Sequence, residues 1–119
     1  MNDQNVFKEN DDQNSEMVSF SLIAHAGTAR SMAYEALKAA KQNDFTHAEE
    51  LLKQADSSIL EAHHIQTSLL SKEARGEHTK VDVILVHAQD HLMTAILAKE
   101  LLAEMLNCIK NWMLQPNLL

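Results

Sequence analysis

Val81-Asp82-Val83-Ile84-Leu85-Val86-His87-Ala88-Gln89-Asp90-His91-Leu92-Met93-Thr94 opens a stretch that continues without Gly or Pro to Met113. Its apolar residues recur every three or four positions, which is the period of an α-helix. One line along that helix reads Val83, Val86, Asp90, Met93 and Leu97, with Leu101 and Glu104 roughly continuing it. A second face carries Ile84, Ala88, Leu92, Ala95, Leu102 and Met105. Two apolar faces on one long helix imply two neighbours: its own bundle and another subunit. The first line sets Asp90 at a coiled-coil core position, where a lone polar residue fixes register and oligomer state at a cost in stability.

The rest of the chain agrees with an all-α fold. Among 119 residues there are 2 Gly and 1 Pro, and aromatics make up 4%. That leaves little turn punctuation or β-forming side chain for strands. One domain of this length can bury a single core. Met1 to about Ser15 is polar, acidic and without apolar period, and reads as a disordered tail. Ser15 is a plausible N-cap for a first helix. Its stripe of Val18, Leu22, Ala26, Ala29, Ala33, Ala36, Leu37 and Ala40 runs on to Lys41. Alanines there allow close approach of a neighbour, and Gly27 inside the pattern costs about 1 kcal/mol against Ala; close backbone contact with a partner helix would explain it, and a merely tolerated glycine is the alternative.

Gln42-Asn43-Asp44 is a very short turn, with Asn43 suited to a left-handed C-cap and Asp44 to the next N-cap. Helices joined so tightly form an antiparallel hairpin. The second helix, from Phe45 to about Lys72, directs Phe45, Ala48, Leu51, Leu52, Ala55, Ile59, Ala62, Ile65, Gln66 and Leu69 inward. Of its adjacent His63 and His64, at most one can do so. Glu73 to His78, with Gly76, is a loop. Thr79 and Asp82 form a capping-box-like start to the third helix. The domain expected is therefore 16–114, an antiparallel three-helix bundle with a long third helix, followed by a short C-terminal tail at 115–119.

The formal charge is −7. No Lys/Arg cluster marks a phosphate-backbone footprint, which argues against nucleic acid. Cys108 is the single cysteine; it has no internal disulfide partner and reads as a core or groove residue. Nothing resembles a signal peptide or a spanning segment, so a cytoplasmic protein is expected. Phosphate-binding and dinucleotide-binding glycine motifs are missing, and so is a nucleophile elbow.

The chemistry therefore falls to His87, Asp90 and His91. An i, i+4 spacing stacks His87 and His91 on one half of the helix. This spacing suits a helical zinc pair, with Asp90 or His63 as a third ligand, although the Glu of H-E-x-x-H is missing. A further reading is a neutral histidine that accepts a phosphoryl group, with His91 and Gln89 supplying donors. Spacing alone puts histidines that merely satisfy a bundle first, a metal pair second and a phosphoryl acceptor third.

Val86-His87-Ala88-Gln89-Asp90-His91-Leu92-Met93-Thr94 resembles the active-site signature of the lactose/cellobiose (diacetylchitobiose) enzyme IIA family of the bacterial phosphoenolpyruvate-dependent sugar phosphotransferase system. Ala26-Gly27-Thr28-Ala29-Arg30-Ser31-Met32-Ala33-Tyr34, Asn43-Asp44-Phe45, Glu61-Ala62-His63 and Gln66-Thr67 are similar to further stretches of the same family, in the same order. The likeness covers about residues 17 to 110. It implies a homotrimer whose third helices form a parallel central coiled coil. It implies that His87 takes a phosphoryl group from HPr and passes it to a cysteine of a IIB component, for uptake of a β-linked disaccharide. Contact with the membrane is then indirect, through the IIC permease. It also implies that Asp90 lies on the trimer axis, where three carboxylates hold a structural divalent cation such as Mg2+; no organic cofactor is implied. Asn43 replaces the family's usual Gly and can still adopt the left-handed conformation. The family pattern does not require His25 or His64.

Overall fold

The computed structural model describes residues 3–114, with side-chain environments from Asn14 onward. Three helices account for nearly all of it: α1 (Asp3–Lys41), α2 (Phe45–Ala74) and α3 (Val83–Met113).

The turn between α1 and α2 follows from two side chains. Asn43 takes φ 65°, and the amide of Asp44 donates back to the Ala39 carbonyl at 2.9 Å. That is the Schellman arrangement, which satisfies the carbonyls a helix end leaves open. Asp44 then caps α2, its carboxylate accepting from the His47 amide at 3.2 Å. Gly76, at φ 84°, closes α2 in the same manner, with the Glu77 amide on the Lys72 carbonyl at 3.0 Å.

Two boundaries differ from the sequence expectation. The acidic segment expected to be irregular up to Ser15 is helical from Asp3. It contains no Gly or Pro, so a helix anchored by its packed half extends at one hydrogen bond per residue. Met1, Asn2 and the 115–119 tail lie outside the described residues. The cap of α3 is Asp82 rather than Thr79, with the Asp82 carboxylate accepting from the Leu85 amide at 2.8 Å. Thr79 is used elsewhere: its amide donates to Glu73 at 3.4 Å, and His78 Nδ1 lies 2.7 Å from the same carboxylate. The His78 hydrogen bond first, and then the Thr79 amide, hold the Glu73 carboxyl below its usual value. The α2–α3 loop is thereby tied to the end of α2.

The interior is built from alanines. Ala26, Ala29, Ala33, Ala36 and Ala40 of α1, Ala48, Ala55 and Ala62 of α2, and Ala88 and Ala95 of α3 are fully buried. Leu22 and Leu92 are the large side chains sealed completely. One cluster joins Leu22 and Ala26 to Ala62, Ala88, Leu92 and Ala95. The other joins Ala36, Ala39 and Ala40 to Ala48 and Leu106. Positions on α1 and α3 thus ascend together. Across α2 and α3 they run oppositely: Glu49 meets Lys110 at 3.0 Å, Asp56 meets Lys99, and Gln66 meets Gln89 at 2.6 Å.

The second face of α3 turns inward as expected, with Ile84 half-buried and Ala88, Leu92, Ala95 and Leu102 buried, except at its end. Met105 is half exposed, and Leu106 is buried in its place. After Leu102 the inward position falls four residues on rather than three, as a 3.6-residue turn requires. No described helix is long and apolar enough to cross a membrane.

Replacing Asp44 by Ala should lower stability by about 1 kcal/mol through loss of the α2 cap. Urea unfolding followed by circular dichroism checks this, and an unchanged midpoint would contradict the capping role.

Candidate functional site

Helix phase decides what surrounds His87. α3 turns Ala88, Leu92 and Ala95 into the core. At 100° per residue, His87 and Gln89 then lie on opposite flanks, about 160° apart. His87 is exposed and His91 is half-buried. Their rings stack with centroids 5.9 Å apart and planes 7° from parallel. The His91 ring also backs onto α1, where a Cβ placed on Gly27 would lie 3.5 Å from His91 Nε2. The histidine pair therefore occupies the flank of α3 next to α1.

The other flank belongs to α2. Gln66, only 8% exposed, donates through its amide to the Gln89 carbonyl oxygen at 2.6 Å and reaches the Met93 sulfur at 3.6 Å. Gln89 is thus tied to α2 and is not brought to His87, where the sequence reading would have it donate. No buried side-chain nitrogen or oxygen among the described residues lacks a hydrogen-bond partner, which is the condition for polar groups inside a bundle.

Asp90 is exposed and lies in the line of large apolar side chains on the outer face of α3. Val83 is 85% exposed, and Val86, Met93, Leu97 and Leu101 are each more than half exposed. A contiguous uncovered patch of this kind marks an interaction surface. His63 and His64 are both exposed, so neither points inward, and His25 is half-buried on α1. Cys108, expected in a core or groove, is exposed.

A metal site within one chain fits poorly. No group of three or more His, Cys, Asp or Glu side chains among the described residues is placed to hold an ion. A metal shared by His87 and His91 would have to lie in both ring planes, because imidazole lone pairs lie in the ring. Two stacked, nearly parallel planes share no such point.

The partners of two residues escaped the sequence reading. Gln66 was counted in the inward register of α2; a glutamine at an apolar-spaced position facing another glutamine was the available signal. Gly27 was read as a place of close contact with a partner helix, and the structure supplies that contact in His91; which residue it meets was not given by the sequence.

Comparison with known proteins agrees with this geometry. The sequence profile of the PTS system, lactose/cellobiose specific IIA subunit, matches residues 17–110. The chain belongs to that family. It is 47% identical over 94 residues to the PTS system lactose-specific EIIA component of Streptococcus mutans, covering 79% of this chain and 90% of that one. The crystal structure of the PTS cellobiose-specific enzyme IIA from Bacillus anthracis superposes with a TM-score of 0.78 at 50% identity, covering 81% of this chain and 88% of that one. The solution structures of the IIA(Chitobiose)–HPr complex of Escherichia coli include a chain that superposes with a TM-score of 0.71 at 44% identity, covering 82% and 94%. This IIA chain is accordingly an all-α, three-helix component of a sugar phosphotransferase system of the lactose/cellobiose/chitobiose type.

Gln66→Leu should cost about 1 kcal/mol, because it leaves the Gln89 carbonyl without its donor. Adding Gln89→Leu should recover part of the loss by removing both partners. Urea unfolding of the single and double variants decides it, and an additive loss would contradict a direct bridge.

Proposed function

We propose that this IIA chain is a histidine phosphocarrier whose acceptor is His87. One observation carries the reading: in the Val86–Thr94 stretch, His87 alone combines exposure to solvent with a ring braced by a neighbour, His91 at 5.9 Å. A phosphoryl acceptor needs a nitrogen open to an incoming macromolecular donor and a ring that does not swing.

The transfer balances simply. A lone pair on a His87 ring nitrogen forms an N–P bond as the N–P bond of phospho-HPr breaks, and the HPr imidazole leaves with that electron pair. In the second step a thiolate of the IIB component attacks phosphorus, an S–P bond forms, and His87 recovers its lone pair. The cargo is a β-linked disaccharide of the cellobiose, chitobiose or lactose kind, and the protein works in the cytoplasm, next to a IIC permease. The HPr assignment is supported by the complex that the related Escherichia coli chain forms.

The assembly in this proposal is a homotrimer of antiparallel three-helix bundles with α3 as a parallel central coiled coil. Support comes from the line of exposed apolar residues at Val83, Val86, Met93, Leu97 and Leu101, which has no cover within one chain. Asp90 within that line supplies one carboxylate per chain, so three chains would bring three to the axis. Unpaired carboxylates so close require protons or a cation. A hard divalent cation such as Mg2+ takes oxygen donors of this kind and would neutralise them. Asp90 is in this account a structural residue and takes no part in the transfer. The alternative of a metal-binding bundle using His87 and His91 loses ground to the stacked ring planes.

Incubation with phosphoenolpyruvate, enzyme I and HPr should add one acid-labile phosphoryl group per chain by intact mass, and none to His87→Ala. No gain in the wild type, with the general components active on another carrier, would overturn the proposal. Asp90→Leu should preserve or strengthen the trimer, as replacing a buried charge with an apolar side chain commonly does. Sedimentation equilibrium checks this, and dissociation to monomers would remove Asp90 from the axis.

A further inference from the structure

Gly27 is a glycine without a backbone reason. Positive φ occurs at Asn43 and Gly76 but not at Gly27, so its place in α1 does not demand a left-handed conformation. Its neighbour supplies the reason. A Cβ there would touch His91 Nε2 at 3.5 Å, an ordinary contact; any side chain extending beyond Cβ would enter the volume of the imidazole. The His91 ring is thus confined on one side by the bare α1 backbone and on the other by the ring of His87, 5.9 Å away and 7° from parallel. Its Nε2 lies towards α1. What His91 presents to His87 is therefore a ring face.

We propose that Gly27 is a positioning residue for phosphoryl transfer: by carrying no side chain it gives His91 its seat against α1, and the seated ring is the platform that fixes the plane of His87. The proposal rests on His87 being the acceptor. It assigns His91 a supporting role through its flat face rather than through donation to the phosphoryl oxygens. A nitrogen lone pair attacks along the ring plane, so the tilt of His87 sets the angle of approach to phosphorus. A loss of alignment on the order of 1 Å is enough to cost up to about a hundredfold in rate.

The test is the initial rate of phosphoryl uptake from phospho-HPr, with wild-type uptake measured first. Absence of wild-type uptake would refute the acceptor reading itself, and the proposal with it. Given uptake, Gly27→Ala should remain close to wild type, since its Cβ fits. Gly27→Leu should fall roughly tenfold to a hundredfold while oligomeric mass and helical content stay unchanged. In a His91→Ala background, Gly27→Leu should cost nothing further, because no ring remains to displace. His91→Phe, which keeps a flat ring without nitrogen, should retain more activity than His91→Ala. A wild-type rate in Gly27→Leu would overturn the proposal, as would a full Leu penalty without the His91 ring or a His91→Phe rate no better than His91→Ala. Should Gly27→Leu fail to fold, Gly27→Val carries the same cycle with a smaller side chain.

Discussion

The close approach that alanine permits along α1 is the constraint from which the rest follows. Ala26, Ala29, Ala33, Ala36 and Ala40 have no exposed surface, and both other helices settle against them. Once Ala88, Leu92, Ala95, Leu102 and Leu106 are turned inward, the remaining faces of α3 have no freedom. The helical period sends His87 and His91 to the flank beside α1, Gln89 to the flank beside α2, and the Val83–Leu101 line outward. Larger residues on α1 would widen the spacing between the axes and move all three at once.

The two flanks are handled differently. Beside α2, polar groups satisfy each other: Gln66 and Gln89 bridge at 2.6 Å, with Lys99–Asp56 and Lys110–Glu49 further along. These contacts set how α2 lies on α3, and they are individually modest in energy because most of the groups are exposed. Beside α1 the contact is made by a ring and a backbone with no side chain between them. The flank that is locked serves architecture. The flank beside α1 leaves His87 open to solvent, as the proposed acceptor requires.

Much of this was readable in the sequence because helical periodicity is local. The inward positions of α2 from Phe45 to Leu69 are buried or half-buried throughout, and Asn43 and Asp44 make the turn their chemistry suggests. The apolar line containing Asp90 is found exposed along one side of α3. Boundaries were less legible. Helix continuation through the polar segment after Asp3 depends on the absence of breakers more than on any pattern, and the choice of Asp82 over Thr79 as cap depends on Glu73 competing for the Thr79 amide. Contacts between helices were the least legible. The Gln66–Gln89 bridge has no signature within its own segment, and Gly27 signals a close helix approach without naming His91 as its partner, because each pairing requires the register between two helices.

The central claim is that one histidine, set by the phase of α3, is the acceptor. The chain has 7 histidines, and a trypsin fragment from Val81 to Lys99 would contain both His87 and His91. Fragmentation of that peptide by electron-transfer mass spectrometry at alkaline pH, after phosphorylation by phospho-HPr, localises the added group. The account predicts it on His87 alone. A phosphoryl group on His91, or on a histidine outside this fragment, would contradict it.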